Sequence, residues 1–206
     1  MRCPLCRTLL VRKIDQDFFD CPTCTALVKD ASFYIETARE LAVYEGHNND
    51  VEDPGYQNFT SPITNYILEC FGTNAKGLDF GCGTGPVITK ILRDNGYDNI
   101  HLYDPFFHPD HELLEESYDF IFACEVVEHF AQPREEYQQL LDKLPPGGRL
   151  LIMTHPYDGK IPFPKWYYRR DPTHIFIHRK PTFVYIAELF NVELEYQGKR
   201  LTVLRK

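Results

Sequence analysis

The run 77–85, Gly-Leu-Asp-Phe-Gly-Cys-Gly-Thr-Gly, constrains this chain more than any other stretch. Leu78 and Phe80 form a short apolar run feeding three glycines at alternate positions, Gly81, Gly83 and Gly85. Pro86 follows, then Val87, Ile88, Ile91 and Leu92 at helical spacing. The pattern predicts a buried strand, a tight glycine turn and a helix whose first turn holds the proline, where a missing N–H costs nothing. Glycines admit a ligand close to the backbone, and a helix N-terminus offers free N–H groups at the positive end of its dipole. The dinucleotide fingerprint G-x-G-x-x-G would place its third glycine at position 86, which is proline.

Asp79 stands two residues before the first glycine. With it, the segment resembles the first motif of class I S-adenosylmethionine (SAM) methyltransferases, (D/E)-x-G-x-G-x-G. In that family the acidic residue orients the amino-acid part of SAM and the glycines give the cofactor room. Asp104 ends the next predicted strand, 100–104, where a carboxylate accepts from ribose hydroxyls in NAD and SAM folds alike. After a buried strand at 118–124, Glu125-Val-Val-Glu128-His129 resembles the fourth-strand motif of small-molecule methyltransferases related to the ubiquinone-pathway enzymes. That resemblance puts Glu125 beside the cofactor and turns Glu128 and His129 toward the reaction cleft. A capping or core histidine is the plainer reading of His129. Leu-Pro-Pro-Gly-Gly-Arg-Leu at 144–150 and Arg-Asp-Pro-Thr-His at 170–174 are similar to stretches of the same group.

The resemblance covers 31–206. It implies an α/β fold: a Rossmann-like class I methyltransferase sheet with helices on both faces and a C-terminal antiparallel hairpin. Alternation in 192–196 and 201–203 about Gln197-Gly198-Lys199 argues for that hairpin independently. The implied cofactor-binding residues are Asp79, Gly81, Cys82, Gly83, Gly85, Asp104, Glu125 and Tyr56.

Residues 1–30 carry Cys3-Pro-Leu-Cys6 and Cys21-Pro-Thr-Cys24. Each C-x-x-C pair can form a tight knuckle, and two pairs can set four thiolates around Zn²⁺ with no open position, so a structural ion is expected. The segment looks like a zinc ribbon, with 9–11 and 18–19 as its short strands. A redox dithiol is the rival, although that motif normally occurs once, in a strand-to-helix context.

Between the two modules, Phe33, Ile35, Ala38, Leu41, Ala42 and Tyr44 predict a helix over 31–47. Asp53-Pro54-Gly55 reads as a turn, and Pro62 as the start of a second helix ending near Gly72. Such helices cover the SAM pocket in many class I methyltransferases, which makes 31–72 a lid and Tyr44, His47 and Tyr56 its pocket-facing candidates. Residues 105–117 are short for the usual helix and third strand. Residues 156–180 mix Pro156, Pro162 and Pro164 with many aromatics and show no period, as expected of an insertion folded over the cleft. Trp166, Tyr167 and Arg170 are its substrate-binding candidates: rings to stack on an acceptor and a guanidinium fork for an anionic group.

These readings predict a SAM-dependent methyltransferase acting on a small molecule. His129, His155 and His174 are the candidate bases, since histidine titrates near neutral pH. A protein or nucleic-acid methyltransferase that docks through the zinc module is one alternative, and a non-catalytic SAM-binding scaffold is another. The net charge of -8 argues against a nucleic-acid partner. No apolar run reaches the ~20 residues of a membrane span. Met-Arg-Cys-Pro lacks a secretory core, and paired cysteines suit a reducing compartment, so a cytoplasmic location is expected.

Overall fold

The computed structural model describes residues 1–46 and 50–206. In chain order it contains β1 (Phe18–Asp20), β2 (Leu27–Lys29), α1 (Thr37–Glu45), α2 (Pro54–Cys70), β3 (Gly77–Phe80), α3 (Val87–Asp94) and β4 (Ile100–Tyr103). Then come β5 (Phe120–Cys124), α4 (Pro133–Asp142), β6 (Arg149–Met153), β7 (Phe176–Ile177), α5 (Lys180–Phe190), β8 (Glu193–Gln197) and β9 (Leu201–Arg205).

Six strands form one sheet in the order β4-β3-β5-β6-β9-β8. The first four are mutually parallel, and the β8–β9 hairpin adds antiparallel to β6. Side chains on β5 alternate between two cores because successive strand residues face opposite sides. Phe120 and Phe122 pack with Ile63 and Ile67 of α2 and with Ile88 and Leu92 of α3. Ile121 and Ala123 pack on the other face with Tyr137 and Leu140 of α4 and with Phe183 and Ile186 of α5. A strand apolar at every position therefore marks a sheet covered on both sides, as expected.

Among the described residues no strand lies between β4 and β5; a single 3-10 turn, His111–Glu115, occupies that place. Other boundaries depart from expectation. Asp53-Pro54-Gly55 opens α2 instead of turning: the Asp53 carboxylate accepts from Gly55 N at 2.8 Å, and Pro54 takes the first helical position. Pro62 lies inside α2 rather than at a helix start. Its ring removes the bond that Asn58 O would accept, and the Ser61 hydroxyl donates to that carbonyl at 2.8 Å instead. The first helix begins only at Thr37, because Asp30 caps a separate 3-10 turn over Ala31–Phe33. Residues 9–11 form no strand beyond one bridge between Leu9 and Arg2, and Leu27–Lys29 is the partner of β1.

The N-terminal segment shares a sheet with the rest of the chain. β2 pairs with β1 on one edge and with β7 on the other. Arg169 forms ion pairs with Asp15 and Asp17, both at 2.7 Å, and Arg179 bonds Asp20 at 2.9 Å and Thr25 O at 3.0 Å. Phe18 is buried among Tyr157, Phe163, Trp166 and Tyr168. Residues 156–178 are thus fastened to the cysteine-bearing segment at both ends of their path.

His178 sits wholly within this join, stacked on Phe183 with its Nε2 at 2.9 Å from the Tyr137 hydroxyl. Burial pushes its pKa down to about 3. A histidine kept neutral by the fold must charge on unfolding, so its contribution is present above its ordinary pKa of ~6.5 and is lost as pH falls toward about 3. Stability should drop by about 2 kcal/mol from this group between pH 7 and pH 5. Denaturation midpoints should therefore fall less steeply over that window in His178→Gln than in the parent, and equal slopes would refute the assignment.

Candidate functional site

The strand β3 runs straight into the glycine turn. Gly81 has φ +76 and Gly83 φ +61, both in the left-handed region. A Cβ at Gly81 would also stand 2.5 Å from Val126 Cγ2, so only glycine fits there. The turn is stitched to the neighbouring strand. Gly81 N and Cys82 N donate to Tyr103 O at 2.8 and 3.2 Å, and Gly83 N donates to the Asp104 carboxylate at 3.1 Å. The other Asp104 oxygen accepts from Phe106 N and Phe107 N, so one carboxylate holds both the turn and the loop beyond β4. Asp79 is buried beneath the turn, accepts from the Thr89 hydroxyl at 2.7 Å, and is pushed up to about 7 by burial. Pro86 caps α3 from just outside it instead of lying in its first turn.

Beside the turn lies a cavity of about 960 Å³. Gly81, Cys82, Gly83, Asp104, Glu125 and Tyr56 line it. So do Tyr44, His129, Tyr167, Arg170 and His174, which come from α1, the end of β5 and the 156–178 segment. Asp79 and Gly85 border a smaller adjoining recess that also touches Tyr56, Gly81 and Cys82. Two expected residues are absent from the cavity wall. Trp166 is buried with its ring against Tyr157 and Tyr168, at centroid distances of 5.3 and 5.1 Å, so it builds the segment and presents no face to an acceptor. His155 stacks on Tyr168, meets the Tyr167 hydroxyl through Nδ1 at 2.7 Å, and lies near Arg200, whose charge joins burial in lowering its pKa. His47 lies outside the described residues. Arg169 is committed to Asp15 and Asp17, while Arg170 lines the cavity and, among the described residues, makes no ion pair.

The end of β5 is unusual. Glu125 has φ +54, its N–H donates to Met153 O at 2.7 Å, and its Oε1 is buried with no hydrogen-bond partner. Burial and the neighbouring Glu128 push its carboxyl up to about 9. Glu128 does not face the cleft as expected; it is fully buried, with Oε1 accepting from the Tyr168 hydroxyl. His129 Nδ1 is 3.1 Å from both Thr173 O and the Tyr44 hydroxyl, and burial lowers its pKa. His174 donates through Nδ1 to Tyr168 O at 2.7 Å.

Tyr168, Glu136 and Gln139 also line the cavity, and the sequence carries no clear signal for them. Tyr168 is one ring in an unpatterned aromatic run. Glu136 and Gln139 sit three apart on α4, and polar residues at that spacing read as a solvent face unless the fold is known.

The four cysteines come together. Cys3 and Cys24 sulfurs are 3.5 Å apart, and Cys6 and Cys21 sulfurs 3.3 Å. Tetrahedral thiolates at a Zn–S length of ~2.3 Å lie ~3.8 Å apart, so the set needs little adjustment to hold the ion. The two knuckles share one geometry. Arg7 N and Thr25 N donate back to Cys3 O and Cys21 O, and Arg7 and Thr25 both adopt positive φ, at 65 and 62.

Comparison with known proteins agrees with this geometry. The methyltransferase domain family matches residues 55–197. No curated protein matches the chain. Among solved structures, 1,6-didemethyltoxoflavin-N1-methyltransferase of Burkholderia thailandensis, with bound 1,6-didemethyltoxoflavin and S-adenosylhomocysteine, is similar at TM-score 0.57 and 14% identity, over 93% of this chain and 99% of that one. Magnesium protoporphyrin IX methyltransferase of Synechocystis PCC 6803, with bound S-adenosylhomocysteine, is similar at TM-score 0.51 and 15% identity, over 81% of this chain and 91% of that one. An O-methyltransferase family protein of Burkholderia thailandensis is similar at TM-score 0.54 and 15% identity over 84% of this chain, which spans 60% of that protein's length. At such identities the likeness is one of fold. Because the family match runs from α2 through β8 and takes in the glycine turn and every strand of the sheet except β9, the chain belongs to the methyltransferase domain family.

Proposed function

We propose that the protein transfers the methyl group of SAM to a small-molecule acceptor held in the cavity beside the glycine turn. One observation carries this reading: a positive-φ glycine turn, closed by a strand-end carboxylate, opens on a cavity of small-molecule size. Asp104 would accept from the ribose hydroxyls, and Asp79, beside the smaller recess, would face the amino-acid end of the cofactor. Bound SAM supplies a methyl group on a positively charged sulfur, already activated for displacement. The chain's own residues then have to align the acceptor with that methyl and keep water out. The 156–178 segment supplies the wall for this, with Tyr167 and Arg170 toward the acceptor, and the guanidinium of Arg170, which makes no ion pair among the described residues, favours an anionic group on it. His129 and His174 stand on the acceptor side, whereas His155 does not. The similar N1-methyltransferase of Burkholderia thailandensis, with bound 1,6-didemethyltoxoflavin and S-adenosylhomocysteine, supports a small acceptor over a polymer.

We further propose that Cys3, Cys6, Cys21 and Cys24 hold one structural Zn²⁺, which requires reduced thiols and therefore a cytoplasmic setting. No described helix is long and apolar enough to cross a membrane.

Calorimetry tests the main reading. S-adenosylhomocysteine should bind at one site and NADH should not. A hydrogen bond to a charged group is worth ~1.5–3 kcal/mol, so Asp104→Ala should weaken binding roughly tenfold to hundredfold. The upper end is expected, because the same substitution frees Gly83 N and the Phe106–Phe107 amides. NADH binding with no heat from S-adenosylhomocysteine would overturn the proposal. Arg170→Ala should leave S-adenosylhomocysteine affinity unchanged and cut turnover of an anionic acceptor at least tenfold; unchanged turnover would return Arg170 to the surface.

A further inference from the structure

Two side chains of the cavity wall and a third buried behind them are arranged in a way that cofactor and acceptor binding do not require. Glu128 and His129 share the 3-10 turn Val127–His129, and His174 is brought beside them by the 156–178 segment. One donor atom of each lies within 4.8 Å of the others. The histidine rings meet edge to face with centroids 4.9 Å apart.

The hydrogen bonds around them set the protonation of each ring. His174 Nδ1 is 2.7 Å from Tyr168 O, and His129 Nδ1 is 3.1 Å from Thr173 O. A carbonyl only accepts, so Nδ1 carries the hydrogen in both rings and Nε2 is left with its lone pair. This is the arrangement of a metal-ligating histidine, whose second nitrogen donates to a carbonyl that fixes tautomer and orientation. The third member is a carboxylate with no exposure to solvent. Its Oε1 accepts from the Tyr168 hydroxyl, which in turn accepts from Thr154 at 2.9 Å, while Oε2 is buried without a partner. A buried carboxylate oxygen left unpaired is costly unless a cation meets it. The nearest acid to His174 Nε2 is Asp171, at 3.9 Å, beyond hydrogen-bond reach and engaged by Thr173.

We propose that Glu128, His129 and His174 form a second metal site, distinct from the four cysteines, that takes one first-row divalent cation. Two imidazoles and one carboxylate suit Mn²⁺, Fe²⁺, Co²⁺ or Zn²⁺, and the absence of sulfur separates the site chemically from the cysteine cluster. Three protein ligands leave coordination positions open. Both histidines line the cavity, so the open side of the ion faces the acceptor space, where an acceptor oxygen would coordinate. On this assignment His129 and His174 are ligands and not proton acceptors, and Tyr168 and Thr154 are positioning residues acting through Glu128. Only the ion's role toward the acceptor rests on the methyl-transfer reading; binding of the ion does not.

Titration of the zinc-loaded protein with Mn²⁺, followed by loss of the free-ion electron paramagnetic resonance signal, tests the site without an acceptor. One Mn²⁺ per chain should bind while the zinc content stays at one. Glu128→Gln and His174→Gln should each weaken Mn²⁺ at least tenfold, with zinc content and S-adenosylhomocysteine binding retained as controls of folding. Tyr168→Phe keeps all three ligands and should weaken Mn²⁺ by a smaller factor than either ligand variant. Absence of Mn²⁺ binding by the parent protein, repeated with Co²⁺, overturns the proposal whatever the variants do. Binding of equal strength in the parent and the Glu128→Gln/His174→Gln double variant overturns it too. Because S-adenosylhomocysteine binding is read separately, failure of the metal site and failure of the methyltransferase reading give different results.

Discussion

Removal of the zinc ion proposed for the cysteine cluster is expected to unfold residues 1–30 and to loosen the acceptor wall with them. A segment this small cannot close a core of its own, and structural zinc in such modules contributes an apparent ~10–16 kcal/mol. Cys3, Cys21 and Cys24 are buried, so water cannot readily take the place of the proposed ion among their sulfurs. The consequence reaches the cavity through named contacts. Among the described residues β2 is the only partner strand of β7, and Asp15 and Asp17 hold Arg169 next to Arg170. Cys24→Ser should lower the melting midpoint by more than about 10 °C, taking ~2–4 °C per kcal/mol for a chain of this size. Limited proteolysis of the metal-stripped protein should cut both in 1–30 and in 156–178. Cuts confined to 1–30, with the 156–178 segment still protected, would show that the wall stands without the zinc module.

The second large effect is expected at Gly81. Gly81→Ala combines a left-handed backbone, costing ~1–2 kcal/mol for a side chain, with a Cβ 2.5 Å from Val126 Cγ2. Neither atom can give way without moving β3 or the end of β5, and those two strands pair side by side. The turn should be displaced and S-adenosylhomocysteine affinity should fall at least a hundredfold. Gly81→Ala combined with Val126→Ala removes the two clashing methyl groups and leaves only the backbone cost, so about half of the lost binding free energy should return. A single Gly81→Ala variant that binds S-adenosylhomocysteine as the parent does would mean that the turn is not the cofactor cradle.

Much of the candidate site is legible in the sequence because its signals are local. The alternating glycines, Asp79 two residues upstream and Asp104 at a strand end are short-range patterns whose physics is carried by the backbone of a few neighbouring residues. The two cysteine knuckles are equally local, each a hydrogen-bonded turn of five residues. Boundaries were less legible where a side chain decided between two local structures. Asp53 could turn the chain or cap a helix, and Ser61 could lie on a surface or repair the carbonyl that Pro62 leaves bare.

Residue types and their spacing, then, determined by themselves the α/β sheet, the glycine turn, the terminal hairpin and the four-cysteine cluster, since each depends on a short local motif, on two such motifs about twenty residues apart, or on a strict period. Tertiary structure alone decided which aromatics and histidines face the cavity. Trp166 and Tyr167 are chain neighbours of similar character, yet one is buried against Tyr157 and the other lines the cavity. His155 and His174 both follow strands or turns near the site, but only His174 is carried to Glu128 and His129. The reason is that residues 156–178 have no repeat of their own. Their path is set by β2, Asp15, Asp17 and Asp20, more than a hundred residues earlier in the chain, and long-range pairing of that kind leaves no local pattern to read.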